Sequence, residues 1–311
     1  MVRYILKRLL WMIFTFFTTA LVIFTIMYFS PGDPARAVLG SGATLDEIAN
    51  MRHNLGVDQP FFVQLGQYFW NLVRLDFGTS WKYSTPILSE LLPRIPRSML
   101  IGGLAAVINL PVGILLGIFA GTHGGRWQDY LTMGLCMLLV SAPAFWLALL
   151  MISLFAVELN WLPPYGIGGI QYYILPVASG CLGGIAANAR QMRSSILEVY
   201  RADFITTARA KGQIESKVIS KHMLPNAMMP MITTVGGILS NIIAGSAVTE
   251  SIFAIPGVGM YMLTAINSRD YPVIRACVLF FAIFTAVVML IIDLIYAFLD
   301  PRIKAQYSKK R

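Results

Sequence analysis

Residues 276–299 read ACVLFFAIFTAVVMLIIDLIYAFL, a stretch in which Asp293 is the one ionisable side chain. A helix rises 1.5 Å per residue, so a run of this length reaches across the ~30 Å hydrocarbon layer of a bilayer. Its apolar residues form a continuous block, with neither the period-2 stripe of a half-buried strand nor the period-3.6 stripe of a helix on a soluble core. Such a segment is apolar on every face, as a helix must be when lipid or other membrane helices surround it.

Five further runs follow the same rule, at about 9–29, 98–120, 130–157, 173–189 and 230–248. Gly183, Gly184, Gly236 and Gly237 dilute the fourth and fifth runs, and small residues are common where membrane helices approach closely. The composition agrees, with 57% hydrophobic and 13% charged residues, against roughly 25% charged in soluble domains. These readings predict an all-α membrane protein of six transmembrane helices. The first run is about 21 residues long and lacks a small-x-small cleavage site, so it reads as a retained anchor and not a signal peptide.

The charges set the orientation. Arg3, Lys7 and Arg8 precede the first run, and Arg302, Lys304, Lys309, Lys310 and Arg311 follow the last. With an even number of spans, the positive-inside rule puts both termini in the cytoplasm. The fourth connection is crowded with Arg190, Arg193, Arg201, Arg209, Lys211, Lys217 and Lys221, whereas 159–172 carries no charge. Residues 30–97 then lie outside, where matched acids and bases predict a folded region. The net charge of +9 is accounted for by insertion and anionic membrane lipid, so nucleic acid is not expected as a partner.

Several chemistries are excluded by what is missing. No glycine-rich phosphate loop ending in Gly-Lys-Ser/Thr occurs, so this chain does not hydrolyse ATP. His53, His123 and His222 stand in separate predicted loops, and Cys136, Cys181 and Cys277 fall in or beside spans, so neither a metal site nor a disulfide is expected. An ion-coupled carrier needs ionisable groups deep in its spans. Asp293 is the one clear instance, a possible intramembrane polar site near enough to the cytoplasmic end for an interfacial pair with Arg302.

The fourth connection, 190–229, is the unusual segment. Ile196, Tyr200, Phe204 and Ala208 recur at helical spacing, and the run from Thr206 to Gly212 predicts a short helix of small residues ending at a glycine, a surface that another backbone can approach. His222-Met223-Leu224-Pro225-Asn226 marks the return to the membrane. On periodicity alone, an amphipathic segment lying on lipid headgroups fits as well as a docking loop.

Here the sequence resembles the dipeptide, oligopeptide and nickel permeases of binding-protein-dependent ABC importers, specifically the first permease of the pair. That family carries Glu-Ala-Ala, three residues and Gly, then nine residues and Ile-x-Leu-Pro. This chain has Thr206-Thr207-Ala208, three residues and Gly212, then nine residues and His222-Met223-Leu224-Pro225. Thr207-Ala208-Arg209-Ala210-Lys211-Gly212 is similar to the peptide branch. The likeness extends from Pro31-Gly32-Asp33-Pro34 through Leu55-Gly56-Val57-Asp58-Gln59-Pro60, Asp76-Phe77-Gly78-Thr79-Ser80 and Pro256-Gly257-Val258-Gly259 to Leu299-Asp300-Pro301-Arg302.

The resemblance implies a type I importer permease of the bacterial inner membrane. It divides the chain into a tail and first helix (1–29), an extracytoplasmic segment (30–97), a five-helix permease domain (98–299) and a cytoplasmic tail (300–311). Its partners would be a homologous second permease, two ATP-binding subunits and an extracytoplasmic solute-binding protein. ATP and Mg would be bound by the ATPases, and no cofactor by this chain. Arg201, Asp203, Thr207, Ala208, Arg209, Ala210, Lys211, Gly212, Leu224 and Pro225 would form the ATPase-coupling loop. The cargo would be di- or oligopeptides, with nickel or a metal chelate as the alternative in the same family and an ion-coupled carrier as the alternative from another class.

Overall fold

The computed structural model describes residues 2–40, 42–231, 237 and 246–299. Among these the regular secondary structure is helical, joined by turns and short loops, and the antiparallel bridge from Thr79 to Pro86 is the one strand-like pairing. In chain order the helices are α1 (Val2–Phe29), α2 (Pro34–Leu39), α3 (Leu45–Asn54), α4 (Phe61–Val73), α5 (Ile87–Leu91) and α6 (Ile95–Thr122). Next come α7 (Trp127–Ser141), α8 (Ala144–Met151), a π-helical turn (Ile152–Glu158), α9 (Gln171–Tyr200), α10 (Asp203–Ala210) and α11 (Glu215–Lys217). A second π-helical turn (Val218–Met223) precedes α12 (Ala247–Ile252), α13 (Val258–Ser268) and α14 (Tyr271–Leu299).

Among the described residues, three helical stretches are long and apolar enough to cross a membrane: Leu6–Phe29, Ile87–Thr122 and Tyr271–Ile292. The third predicted run is corrected. It is not one straight helix, because Trp127–Ser141 and Ala144–Glu158 meet at 101°. Pro143 is the physical cause: its ring disfavours helical backbone in the preceding residue, and Ala142 is extended at φ −79° and ψ 129°. The fourth run lies within α9, whose glycines and polar side chains keep it below the hydropathy of a lipid-facing span. The fifth run falls largely outside the described residues, and so does the side chain of Asp293.

The contacts group into two compact units, residues 1–98 with 256–311, and residues 99–255. In the first, α14 packs with α1 and α5 around Ile23, Ile87, Leu91, Val273, Ile274 and Cys277. The segment expected to be folded outside the membrane is built by local capping and ion pairing. Asp33 caps α2 through Ala35 N at 3.1 Å and accepts both Nε and Nη2 of Arg52 at 3.1 and 2.8 Å. The Arg52 fork holds the Asp33 carboxyl below the usual aspartate range, against the opposing effect of burial. Thr44 and Glu47 form a reciprocal capping box on α3. Ser80 Oγ, Trp81 N and Lys82 N all donate to the buried carboxylate of Asp270, clasping the 79–86 turn to the α13–α14 corner.

In the second unit α6 and α9 approach along a glycine seam. A Cβ on Gly113 would stand 2.6 Å from Asn188 Cβ, one on Gly117 2.5 Å from the Ala189 carbonyl oxygen, and one on Gly121 2.6 Å from Ile196 Cγ2. Glycine at every fourth position thus lets two backbones close to a distance that any side chain would prevent. Beside the seam, Asn188 Nδ2 donates to Asn109 Oδ1 at 3.2 Å, both residues being buried. At the foot of the same helix, Arg193 donates two hydrogen bonds to Asp129 of α7, at 2.8 and 2.6 Å. Gly125 N adds a third at 3.0 Å.

Candidate functional site

The fourth connection begins as helix. Instead of leaving the membrane as a separate amphipathic segment at Arg190, the chain continues α9 to Tyr200, so Ile196 and Tyr200 lie on α9 while Phe204 and Ala208 lie on α10. Arg201 caps the first helix, exposed, and Ala202 turns extended at φ −74° and ψ 143° to start the second. Asp203 occupies the first turn of α10, where an acid complements the helix dipole.

α10 is amphipathic over barely two turns. Ile205 and Ala208 are buried with Met192, Ile196, Val218, Met223, Ala227 and Met231. Burial of each large side chain of this set is worth about 1.5–3 kcal/mol, ample to hold so short a helix on α9. The opposite face carries Phe204, Thr207, Ala210 and Lys211 in solvent. It is a face of small side chains, flanked by the exposed rings and branches of Phe204 (45% exposed) and Ile214 (70%).

The helix stops at Gly212, which takes φ +73°. Gly212 N donates to Arg209 O at 2.9 Å and Gln213 N to Ala208 O at 3.4 Å, the paired bonds of a Schellman motif that a left-handed residue permits. Across that turn the Arg209 guanidinium straddles Glu215 at 3.1 and 2.6 Å and stacks 4.3 Å from the Tyr200 ring centroid. The Arg209 hydrogen bonds hold the Glu215 carboxyl below its ordinary value. His222 shares a 3.0 Å hydrogen bond with Gln213. Leu224 is half-buried and Pro225 exposed, both on the helix at 224–231.

The residues singled out from 201 to 212 therefore converge on one capped, clipped surface, with Leu224 and Pro225 on the helix that supports it. The sequence reading missed Tyr200 and Gln213 as members, and it missed Glu215, whose spacing six residues after Arg209 crosses a glycine turn and gives no helical signal. It also missed Asp129, an acid at the head of an apolar run whose partner sits 64 residues later. No group of histidine, cysteine or carboxylate side chains among the described residues could hold a metal.

Residues 113–305 match the binding-protein-dependent transport system inner membrane component, and residues 1–101 match the N-terminal region of the same membrane component. The chain belongs to this family. It is 39% identical over 306 residues to the glutathione transport system permease protein of Salmonella paratyphi A, covering 98% of this chain and 99% of that protein. It is 37% identical over 333 residues to the dipeptide transport system permease protein of Alkalihalophilus pseudofirmus, covering 98% and 100%. Among solved structures, the inward-facing methionine ABC transporter matches 69% of this chain and 98% of its own with a TM-score of 0.56 at 19% identity, a likeness of fold. The chain is thus a membrane permease subunit of an ABC importer.

Proposed function

We propose that this permease forms, with a homologous second permease, the pathway for di- and oligopeptides handed over by an extracytoplasmic solute-binding protein. Two ATP-binding subunits drive the cycle and hold the ATP and Mg, while this chain supplies no catalysis. The peptide assignment rests on relatives that carry dipeptides and glutathione in their names, and these give the nickel alternative no support. The start of α1, the 190–229 segment and the basic tail belong to the cytoplasmic face of the inner membrane, and 30–97 to the external face.

The observation that carries the mechanism is the exposed small-residue face of α10, clamped by the Gly212 cap and the Arg209–Glu215 fork. A short rigid helix with Thr207, Ala210 and Lys211 outward fits a cleft in an ATPase surface and transmits force because its buried side is locked to α9. Closure of the ATPases on ATP then biases the permease between inward-open and outward-open arrangements. Polar cargo crosses only through a hydrated cavity, since unsatisfied polar groups in lipid cost several kcal/mol each.

The test is purification of the tagged chain in mild detergent, with peptide uptake and ATP hydrolysis measured after reconstitution with the binding protein. Co-purifying ATPases, peptide-stimulated hydrolysis and loss of coupling in Gly212→Val support the reading. A chain that transports with no ATPase present would sink it.

A further inference from the structure

The unit formed by residues 1–98 and 256–311 carries an open cleft of about 710 Å³, within the ~300–1,000 Å³ range of small-molecule sites. Its floor is made by Phe24, Tyr68, Tyr271 and Arg275. The guanidinium of Arg275 lies 4.9 Å from the Tyr68 ring centroid and 5.5 Å from that of Phe24, and its Nε donates to Tyr271 O at 3.3 Å. No carboxylate pairs with it among the described residues. The hydroxyls of Tyr68 and Tyr271, which also line the cleft, are buried and have no hydrogen-bond partner.

The acids around this cavity are otherwise engaged. Asp33 holds Arg52, Asp58 faces His53 at 2.9 Å, and the exposed Asp76 accepts from Gly78 N at 2.8 Å. Asp270, on the next turn, is filled by Ser80, Trp81 and Lys82. What remains in the lining is a guanidinium paired with no carboxylate, whose Nε reaches only a backbone carbonyl, and two phenol hydroxyls without a partner. Aromatic faces compensate a desolvated guanidinium only partly, and a planar carboxylate matches its two-pronged fork. The polar rim, with Gln64, Asn71 and Asp76, suits a water-soluble occupant and not an acyl chain.

We propose that this cavity is a receiving site for the terminal carboxylate of a short peptide, with Arg275 as the anchor and the Tyr68 and Tyr271 hydroxyls as supporting donors. The assignment of a peptide, though not of a carboxylate, rests on the function proposed above. The site would hold cargo briefly on the external side before the pathway opens.

Trp81 also lines the cavity, its ring 5.7 Å from Tyr271, and reports on occupancy. In the assembled transporter, dialanine should change tryptophan fluorescence saturably, and Trp81→Phe should abolish that change. Dialanine amide, which lacks the carboxylate charge, should bind about 10- to 100-fold more weakly, the fold-change of one charge-assisted interaction. Arg275→Gln should weaken dialanine equally, and Arg275→Lys less. Assembly and basal ATP hydrolysis of each variant establish that it folds. Equal binding of the amide, or of dialanine to Arg275→Gln, overturns the proposal. So does an anionic phospholipid found by native mass spectrometry that leaves only in Arg275→Gln while dialanine gives no signal. If wild type takes up peptides with no such site, this inference alone fails; if it takes up none, the functional reading fails first.

Discussion

Breaking the Asp129–Arg193 pair should damage the permease asymmetrically. The Asp129 side chain is 1% exposed and receives three donors, whereas Arg193 is 32% exposed and can turn toward water. Arg193→Met therefore strands a buried carboxylate, and removal of one partner from a buried pair costs about 3–5 kcal/mol. We expect about 3 kcal/mol, the low end, since Gly125 N still donates. Asp129→Asn keeps the shape and leaves a cation that can be solvated, so it should cost about half as much. The double variant should be less damaged than the sum by about 1–3 kcal/mol, the size of coupling between residues in direct contact. The assay is denaturant unfolding of the purified complex in detergent, followed by the retained fraction of assembled transporter. Strict additivity of the two changes, or an Asp129→Asn worse than Arg193→Met, would refute the reasoning.

Gly117→Val should prevent assembly, because its Cβ would meet a backbone carbonyl that cannot yield, while Gly134→Ala, with nothing within 4 Å, should be neutral or slightly stabilising; size-exclusion profiles separate the two. Gly212→Val must hold a β-branched residue at φ +73°, a strain of about 1–3 kcal/mol, and should leave the spans intact while cutting peptide-stimulated ATP hydrolysis several-fold. Glu215 has a lowered carboxyl pKa, so its contribution is present above the ordinary glutamate range and is lost as pH falls through the lower folded value. Limited proteolysis at the α10–α11 turn should therefore rise on acidification in wild type, and should be high and pH-independent in Glu215→Gln.

The long apolar helices were legible because their chemistry is local: α1, α6 and α14 are unbroken blocks whose length alone fits a bilayer. The α10 stop was legible too, since a glycine after small helix formers has one common use. The bend at Pro143 was signalled by the proline, yet an apolar run hides it when hydropathy is averaged across the window. α9 was underestimated because it is a buried helix whose glycines and Asn188 serve packing, which lowers the very hydropathy used to find it. Asp129–Arg193 and Arg209–Glu215 were not legible, because the first joins distant positions and the second crosses a turn whose geometry only the fold supplies.

What these misses share is α9. One continuous helix carries, in its second half, Asn188 and the residues opposite Gly113, Gly117 and Gly121, then Arg193, and Ile196 in one buried cluster with Ile205. A close-packed seam without side chains between the backbones has little room to deform, so it resists sliding and tilts as a body. In the proposed coupling, a push on the outer face of α10 would be received by Ile205 and Ala208 and pass into the cluster with Met192 and Ile196, because the Schellman cap and the Arg209 fork hold α10 in one orientation. On that proposal the force would move α9 together with α6 and α7, to which Asn109 and Asp129 fasten it. Loosening either end, with bulk at Gly117 or strain at Gly212, should uncouple the loop from the spans by different routes: the first by separating helices, the second by letting α10 give way before α9 moves.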